Sequence, residues 1–305
     1  MRALLYRLRE IAVGERYASA RKQAKETFVQ LLRRPMGTAG IAIIGVFTFL
    51  GVLAPLLAGD YPNYATGANL GTPNLPPGGD FPLGTDRFGR SLYALLLYGA
   101  RVSLVVGLTS SLIAVVVGAA VGILSGYYGG GWDQLLSRLT DFFLVIPWLP
   151  FVLVLVAVLG PGFATVVIAI AIVSWPTTAR VVRSKVLSVK TRAFIERARA
   201  VGAGDGHIMF RHIFPVVGPL IFANMILTVS TSIFTESFLA FFGLGDQTQV
   251  SWGTMIENAY DAATIYTGAY WYFLPPGICI TALVLAFTMV SHALEEILNP
   301  KLRKR

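Results

Sequence analysis

Residues 142–179 read FFLVIPWLPFVLVLVAVLGPGFATVVIAIAIVSWPTTA and contain no Asp, Glu, Lys or Arg. The run is much longer than the roughly 20 apolar residues with which one helix crosses a bilayer core of about 30 Å. Gly160-Pro161-Gly162 interrupts it in the middle, and such a tripeptide is a strong helix breaker. The stretch therefore predicts two membrane-spanning helices joined by a tight hairpin.

The composition of the whole chain also indicates a membrane protein. Of the 305 residues, 55% are hydrophobic and 13% are charged, and this charged share is about half that of a typical soluble domain. High hydrophobicity excludes an intrinsically disordered chain, and the scarcity of charge argues against an ordinary cytosolic enzyme. We expect an all-α integral membrane protein.

Four further uncharged stretches extend the pattern on both sides of the central run. Each of the resulting six segments has about 17 to 25 residues, the length that one membrane crossing requires. The six predicted spans are Met36–Ala58, Val102–Gly126, Phe142–Leu159, Phe163–Ala179, Ile213–Thr235 and Gly268–Ser291.

The distribution of basic residues predicts the orientation. Between the spans and at the termini, alternate segments hold 22 Lys and Arg on one side of the membrane and 3 on the other. Because basic residues mark the cytoplasmic side, we expect both termini in the cytoplasm and the protein in the cell inner membrane. The net charge of +9 is assigned to this asymmetry, and binding to nucleic acid is not expected.

The spans divide the chain into three parts. Residues 1–35 are predicted to be a cytoplasmic segment whose interleaved basic and apolar residues form an amphipathic helix on the membrane lipid. A solvated basic tail is the alternative for this segment. Residues 36–300 form the predicted transmembrane domain, and residues 301–305 form a basic cytoplasmic tail.

The second predicted span carries a glycine at every fourth position. Gly118, Gly122 and Gly126 would line one face of a helix, and a glycine face lets a neighbouring backbone approach closely. This pattern predicts helix packing and does not indicate a particular function.

The chemistry that the predicted spans lack is informative. None of them contains Asp, Glu, Lys or Arg, which argues against a proton-driven carrier or a voltage-gated channel. A sodium-coupled secondary carrier that uses backbone carbonyls remains open. The sequence has no phosphate-binding loop of the type G-x-x-x-x-G-K-[ST], so we expect no ATP site of that kind in this chain.

A cytoplasmic segment between the fourth and fifth spans has an unusual pattern. Residues 191–201 predict a short helix rich in Ala and Arg, and Gly202 stands where a left-handed residue would end it. Asp205 could then cap the following helix. Such a helix could dock a partner, or it could be an ordinary loop helix at the lipid headgroups.

Residues 196–215 resemble the glutamate-alanine-alanine loop of permeases from ABC-type importers. That motif consists of E-A-A, three residues, G, nine residues and I-x-L-P. Arg197 departs from it at the first alanine and Phe214 at the leucine. The positions that match it in register are Glu196, Ala198, Gly202 and Pro215, and Ile213 stands one residue after the isoleucine position of the motif.

This resemblance implies that the segment is a coupling helix that docks a cytoplasmic ATPase. The residues that it assigns to coupling are Glu196, Arg197, Ala198, Arg199, Ala200, Val201, Gly202, Ala203 and Asp205.

Other motifs resemble the C-type subunit of the dipeptide, oligopeptide and nickel permeases. They extend the resemblance from about residue 35 to residue 300. Residues 247–250 depart from the proline-rich pattern that is usual in that family before Ser-Trp-Gly. The matching stretches are PLGTDRFGRS at 82–91, YGARVSL at 98–104, GYYGG at 126–130, FFGLG at 241–245 and SWG at 251–253.

The resemblance implies a fold, partners and a function. We expect a six-helix permease of the type I ABC importer fold, paired with a second homologous permease, two cytoplasmic ATPases and an external substrate-binding protein. ATP and Mg would be bound by the ATPases, so this chain would be no enzyme and would hold no cofactor. Di- and oligopeptides are the expected substrates, with nickel, glutathione and oligosaccharides as alternatives. From other classes, a sodium-coupled carrier and a non-transporting scaffold remain as alternatives.

Overall fold

The regular structure in the computed structural model is helical in the parts of the chain that it describes, residues 25–61, 70–246 and 248–298. Most of the predicted amphipathic segment and the predicted tail at 301–305 lie outside the described residues. The helices are α1 (residues 25–32), α2 (Pro35–Val52), α3 (Ala54–Ala58), α4 (Leu92–Tyr128), α5 (Gly130–Val145), α6 (Trp148–Leu159), α7 (Phe163–Lys190), α8 (Ala193–Ala200), α9 (Asp205–Ile208), α10 (Phe214–Phe241), α11 (Trp252–Asp261), α12 (Thr264–Thr267) and α13 (Tyr270–Leu298).

The predicted all-α fold is confirmed, and the described residues include five apolar helices that can cross a membrane, or six when a bent pair is counted as one span. Helices α2, α4, α7 and α13 are long and apolar enough to cross a membrane, as is the continuous helical segment Asp205–Phe241. The bent pair α5–α6 is also long and apolar enough when its two helices are taken together, and it corresponds to the predicted third span. Helices α8 and α11 lie at opposite ends of α10, and these two ends of the bundle are called the α8 end and the α11 end below.

The predicted third span, Phe142–Leu159, does not form one continuous helix. Helical structure already begins at Gly130, and the chain bends by 89° between α5 and α6. Ile146, which precedes Pro147, has the extended angles φ −67° and ψ 129°. Proline disfavours helical geometry in the residue before it and donates no backbone N–H, so the helix breaks here.

Several other boundaries fall inside longer helices. Helix α4 starts at Leu92 with Ser91 as its N-cap, ten residues before the predicted Val102, and α7 continues past Ala179 to Lys190. These boundaries were drawn at charged residues. A charged side chain near the membrane surface does not interrupt a helix, because its backbone hydrogen bonds are unaffected.

The glycine face of α4 lies against α7. A Cβ atom built on Gly118 would be 2.5 Å from the carbonyl oxygen of Trp175, and one on Gly122 would be 2.6 Å from that of Ala179. One on Gly126 would be 2.8 Å from the Cβ of Val186. The two backbones are therefore in direct contact over the length of this face.

At the α11 end, the segment before α4 folds into a compact cap. The buried carboxylate of Asp86 accepts the backbone N–H groups of Phe88 and Arg90, and the Arg90 Nε at 2.7 Å. The Tyr272 hydroxyl on α13 accepts the N–H of Arg87 at 3.2 Å. These bonds hold the described part of this segment over α13.

The close contact between α4 and α7 makes a first prediction. In Gly122→Ala the new methyl would lie 2.6 Å from a backbone oxygen and 2.8 Å from the Cβ of Val182. We expect the overpacking to lower the free energy of unfolding by about 1–3 kcal/mol, seen as a lower midpoint of thermal unfolding in mild detergent. Gly218→Ala is the matched control, because a Cβ on Gly218 in α10 meets nothing within 4 Å. Equal midpoints for the two variants would contradict the packing role.

Candidate functional site

One side of α8 is buried in the bundle. Ile195 is fully buried and Ala198 is 9% exposed, and both belong to a core cluster with Val186, Val189 and Ile208. This cluster draws on α4, α7 and α10, so α8 is held by the helices that precede and follow it in the chain. Helix α8 therefore has a fixed position.

The other side of α8 faces away from the bundle. Glu196, Arg197 and Ala200 are exposed, and the side chain of Val201 is 84% exposed. Phe210, just beyond α9, is 77% exposed. Within the described part of the chain, Glu196 forms no ion pair. This surface combines charged and apolar side chains that nothing in the bundle covers.

Helix α8 ends as the sequence predicts. Gly202 has φ +82°, in the left-handed region, and its N–H donates to the carbonyl of Arg199 at 2.9 Å. The N–H of Ala203 donates to the carbonyl of Ala198 at 3.0 Å. This pair of bonds is a Schellman motif. A Cβ on Gly202 would meet nothing within 4 Å, so its backbone angle alone makes glycine favourable here.

Asp205 does not have the capping role predicted for it. Gly204 is the N-cap of α9, without a side-chain cap, and Asp205 is the first helical residue. Its carboxylate accepts the hydroxyl of Tyr127 at 2.6 Å, and the guanidinium of Arg199 lies 5.5 Å from the Tyr127 ring centre. The Asp205 carboxylate thus binds the hydroxyl of Tyr127, which is far away in the sequence, and does not bind a backbone N–H of α9. Tyr127 connects the end of α4 to both sides of the Gly202 turn.

A wide helical turn follows α9. Residues Met209–Ile213 form one turn of π-helix before Pro215 in the first turn of α10. Proline cannot donate to the carbonyl four residues earlier and its ring crowds that carbonyl, so a wider turn at this point relieves the conflict. The helical path nevertheless continues from Asp205 to Phe241.

An ion pair that the sequence analysis did not identify lies at the same end of the bundle. Arg183 on α7 donates from Nε and a terminal nitrogen to the two carboxylate oxygens of Asp133 on α5, at 2.6 and 2.7 Å. Ser125 and Ser137 also donate to this carboxylate. The arrangement ties α5 to α4 and α7. No sequence signal joins residues that are 50 positions apart.

The structure brings part of the glycine face together with residues 196–205, the predicted coupling segment. Gly126 contacts Val186, and Val186 lies in the cluster that buries Ile195. Gly118 contacts Trp175 and Thr178 farther along α7. The glycine face therefore supports the coupling segment at one end only.

Glu236 is a buried ionisable group in the helix of the fifth span, one residue past the predicted end of that span. The fifth span was predicted to end at Thr235, but α10 continues to Phe241 and the Glu236 side chain is buried, 4% exposed. The hydroxyls of Ser103 on α4 and Ser237 lie 3.4 Å from one of its carboxylate oxygens, and Ser251 is a further neighbour. Glu236 thus joins α10 to α4 and to the N-cap of α11. The apolar residues on both sides of it in the sequence were the available signal.

The sequence family described as "Binding-protein-dependent transport system inner membrane component" matches residues 118–304. The chain belongs to this family. It is a multi-pass membrane protein of the kind that works with ATPase and substrate-binding partners.

Individual relatives are similar in sequence to this chain over nearly its whole length. The dipeptide transport system permease protein DppC of Alkalihalophilus pseudofirmus is 36% identical, with 92% of this chain and 90% of the relative covered. The oligopeptide transport system permease protein OppC of Bacillus subtilis is 34% identical, with coverages of 92% and 90%. The glutathione transport system permease protein GsiD of Pectobacterium atrosepticum is 33% identical, with 93% of each covered.

A solved structure supports the fold. A chain from inward-facing conformations of the MetNI methionine ABC transporter superposes with a TM-score of 0.54, at 20% identity, covering 69% of this chain and 97% of that one. At this level of identity the likeness concerns the fold, which is that of a type I importer permease.

The contact between Tyr127 and Asp205 makes a second prediction. Tyr127→Phe removes the hydroxyl that donates to Asp205 and leaves the buried ring in place. We expect amide hydrogen exchange in residues 193–208 to become faster by about three- to tenfold, because a bond of about 1 kcal/mol is lost. Tyr128→Phe is the control, since Tyr128 is half exposed and its hydroxyl forms no hydrogen bond with the described residues. Unchanged exchange in Tyr127→Phe would show that this bond does not hold α8.

Proposed function

We propose that this chain is a permease subunit of an ABC importer for di- and oligopeptides and that it forms half of the translocation path. The observation that carries the proposal is α8. Its inner side is buried on Ile195 and Ala198, its outer side is uncovered, and it is followed by a helix that crosses the whole bundle. A surface of this kind suits a partner that pushes on the bundle from outside.

In this proposal the uncovered side of α8 docks an ATPase. Closure of an ATPase pair on ATP displaces α8, and the displacement reaches α7 through residues 191–192 and α10 through the continuous segment Asp205–Phe241. The bundle then changes from access on one side of the membrane to access on the other. ATP can drive this change only if the ATPases bind the two states with unequal affinity.

The remaining partners follow from the same proposal. A second homologous permease completes the path, and an external protein delivers the substrate at the α11 end. The α8 end and both termini face the cytoplasm, as the distribution of basic residues favours. ATP and Mg are bound by the two ATPases, and this chain contributes no catalytic residue.

The relatives support peptides as the substrate class. Two of those compared are named for dipeptide and oligopeptide transport and one for glutathione, which is itself a small peptide. Glutathione is therefore the second candidate, and the sequence analysis adds nickel and oligosaccharides as further alternatives.

Reconstitution tests the function. The chain, its second permease and the ATPases are placed in proteoliposomes, and uptake of a labelled dipeptide is measured with the binding protein present. We expect uptake that requires both ATP and the binding protein and is independent of a sodium gradient. Uptake driven by sodium without ATP would instead establish a secondary carrier, and glutathione uptake without dipeptide uptake would change the substrate.

Gly202 provides a test of coupling. Gly202→Val places a β-branched residue at φ +82°, where it costs about 1–3 kcal/mol, so the Schellman turn should distort. We expect ATP hydrolysis to continue while dipeptide uptake per ATP falls by about tenfold or more. Gly202→Asn is the matched control, because asparagine tolerates left-handed angles, and it should retain most of the uptake. Full coupling in Gly202→Val would contradict the role of this turn.

A further inference from the structure

The 89° bend between α5 and α6 opens a groove in the bundle. The groove has a volume of 410 Å³ and lies between α7 and α10, with the bend at one side. Its apolar lining includes Trp148 and Phe234, which are 45% and 49% exposed. Its polar lining residues are Ser174, Thr177, Asn224, Thr228, Thr231 and Thr235.

The polar residues that line the groove all belong to the predicted fourth and fifth spans, Phe163–Ala179 and Ile213–Thr235, so we expect them within the membrane. Thr177 lies near the end of the fourth span, one turn before Arg180, and Thr231 lies farther from the α8 end. Polar groups within the membrane are costly unless they are paired or serve a solute path. Six polar side chains around one groove therefore indicate that the groove binds a polar molecule.

The wall formed by α10 presents hydrogen-bond acceptors. The hydroxyl of Thr231 donates to the carbonyl of Thr228 at 3.0 Å. The hydroxyls of Thr228 and Thr235 donate in the same way to the carbonyls of Asn224 and Thr231, at 2.8 Å each. Each hydroxyl proton is thus used within the helix, and the oxygens retain lone pairs that can accept.

Asn224 adds an independent acceptor. Its side chain is only 9% exposed, and its Nδ2 donates to the hydroxyl of Thr178 at 2.7 Å. Among the described residues, no donor reaches the Oδ1 atom of Asn224, although Asn224 lines the groove. An amide oxygen without a protein donor, on a residue that lines the groove, can accept a hydrogen bond from a ligand N–H there.

The wall formed by α7 can donate hydrogen bonds, in contrast to the wall formed by α10. The hydroxyls of Ser174 and Thr177 form no hydrogen bond with the described residues, and Thr177 is exposed to the groove. A free hydroxyl can donate as well as accept. None of the residues that line the groove is ionisable.

We propose that this groove binds the main-chain amides of a peptide during transport, with Thr231 and Asn224 accepting peptide N–H groups and Thr177 donating to a peptide carbonyl. This inference rests on the proposed function. A peptide bond has one N–H and one C=O in every residue, whatever the side chain. An uncharged groove with acceptors on one wall and hydroxyls on the other therefore fits what all peptides share. A lipid tail has no group that could use it.

Thr231→Val tests the inference, because valine keeps the shape of threonine and removes the acceptor. Thr281→Val is the matched control, since the Thr281 hydroxyl on α13 donates to the carbonyl four residues earlier at 2.8 Å and lies outside the groove. In the complete importer in proteoliposomes, we expect Thr231→Val to raise the KM for dipeptide uptake by about three- to tenfold. Thr231→Ser should restore most of the wild-type value, and Thr281→Val should match the wild type.

A peptide with N-methylated amides provides the second measurement. This peptide lacks the N–H groups that are proposed to donate hydrogen bonds to Thr231. Wild type and Thr231→Val should therefore transport it with similar KM. The binding protein is the same in both assays, so its own preference cancels when the two permeases are compared. A ratio between wild type and variant that is large for the unmodified peptide and near one for the methylated peptide supports the inference.

The other outcomes overturn it separately. If Thr231→Val and Thr281→Val transport dipeptide with equal KM, or if Thr231→Val loses both peptides equally, the groove does not read main-chain amides and the proposed importer still stands. If Thr231→Val no longer co-purifies with the second permease, the groove is a contact between subunits. If the wild-type importer shows no ATP-dependent peptide uptake, the proposed function itself fails and the inference fails with it.

Discussion

The backbone contact between α4 and α7 is the constraint on which the rest of the structure depends. Glycines bring the two helices so close that a single methyl on Gly118 or Gly122 would lie 2.6 Å or less from a backbone oxygen. This contact fixes α7 along its length. At the α8 end it places Val186 under Ile195, and near the middle of α7 it places Thr178 where Asn224 donates to it. The coupling segment and the groove therefore share one support.

A second constraint is that polar groups inside the bilayer must find partners within the protein. The threonine hydroxyls of α10 donate hydrogen bonds to carbonyls of their own helix, and the Glu236 carboxylate accepts hydrogen bonds from serine hydroxyls. Removing the Glu236 carboxylate would leave buried hydroxyls without their acceptor. Glu236 thus serves as a fixed point at the α11 end, whereas Asn224 uses its Nδ2 within the bundle and leaves its Oδ1 as the proposed acceptor for a peptide N–H.

Local patterns in the sequence predicted local structure well. The left-handed turn at Gly202 and the break around Gly160-Pro161-Gly162 depend on a few adjacent residues, and the structure shows both. Features that depend on distant residues could not be predicted in this way. Asp205 was assigned to a cap because its partner Tyr127 lies far away in the sequence, and Glu236 was placed in a loop because a charge was taken as the end of a span. The groove arises from the bend at Pro147, whose size only the packing determines.

The continuity of the segment Asp205–Phe241 connects the two proposals. Its 37 residues correspond to about 55 Å of helix, with the Tyr127 contact near the start, Asn224 and Thr231 in the groove wall, and Glu236 near the far end. A helix held at Glu236 and displaced at Asp205 must rotate or bend between these points, and Pro219 within it weakens the ladder where bending is easiest. Either motion shifts the acceptors of α10 relative to the hydroxyls of α7. In the proposed mechanism, the movement that an ATPase would impose on α8 would also separate the walls that would hold a peptide amide. Affinity for the solute and the state of the ATPases would then be mechanically linked.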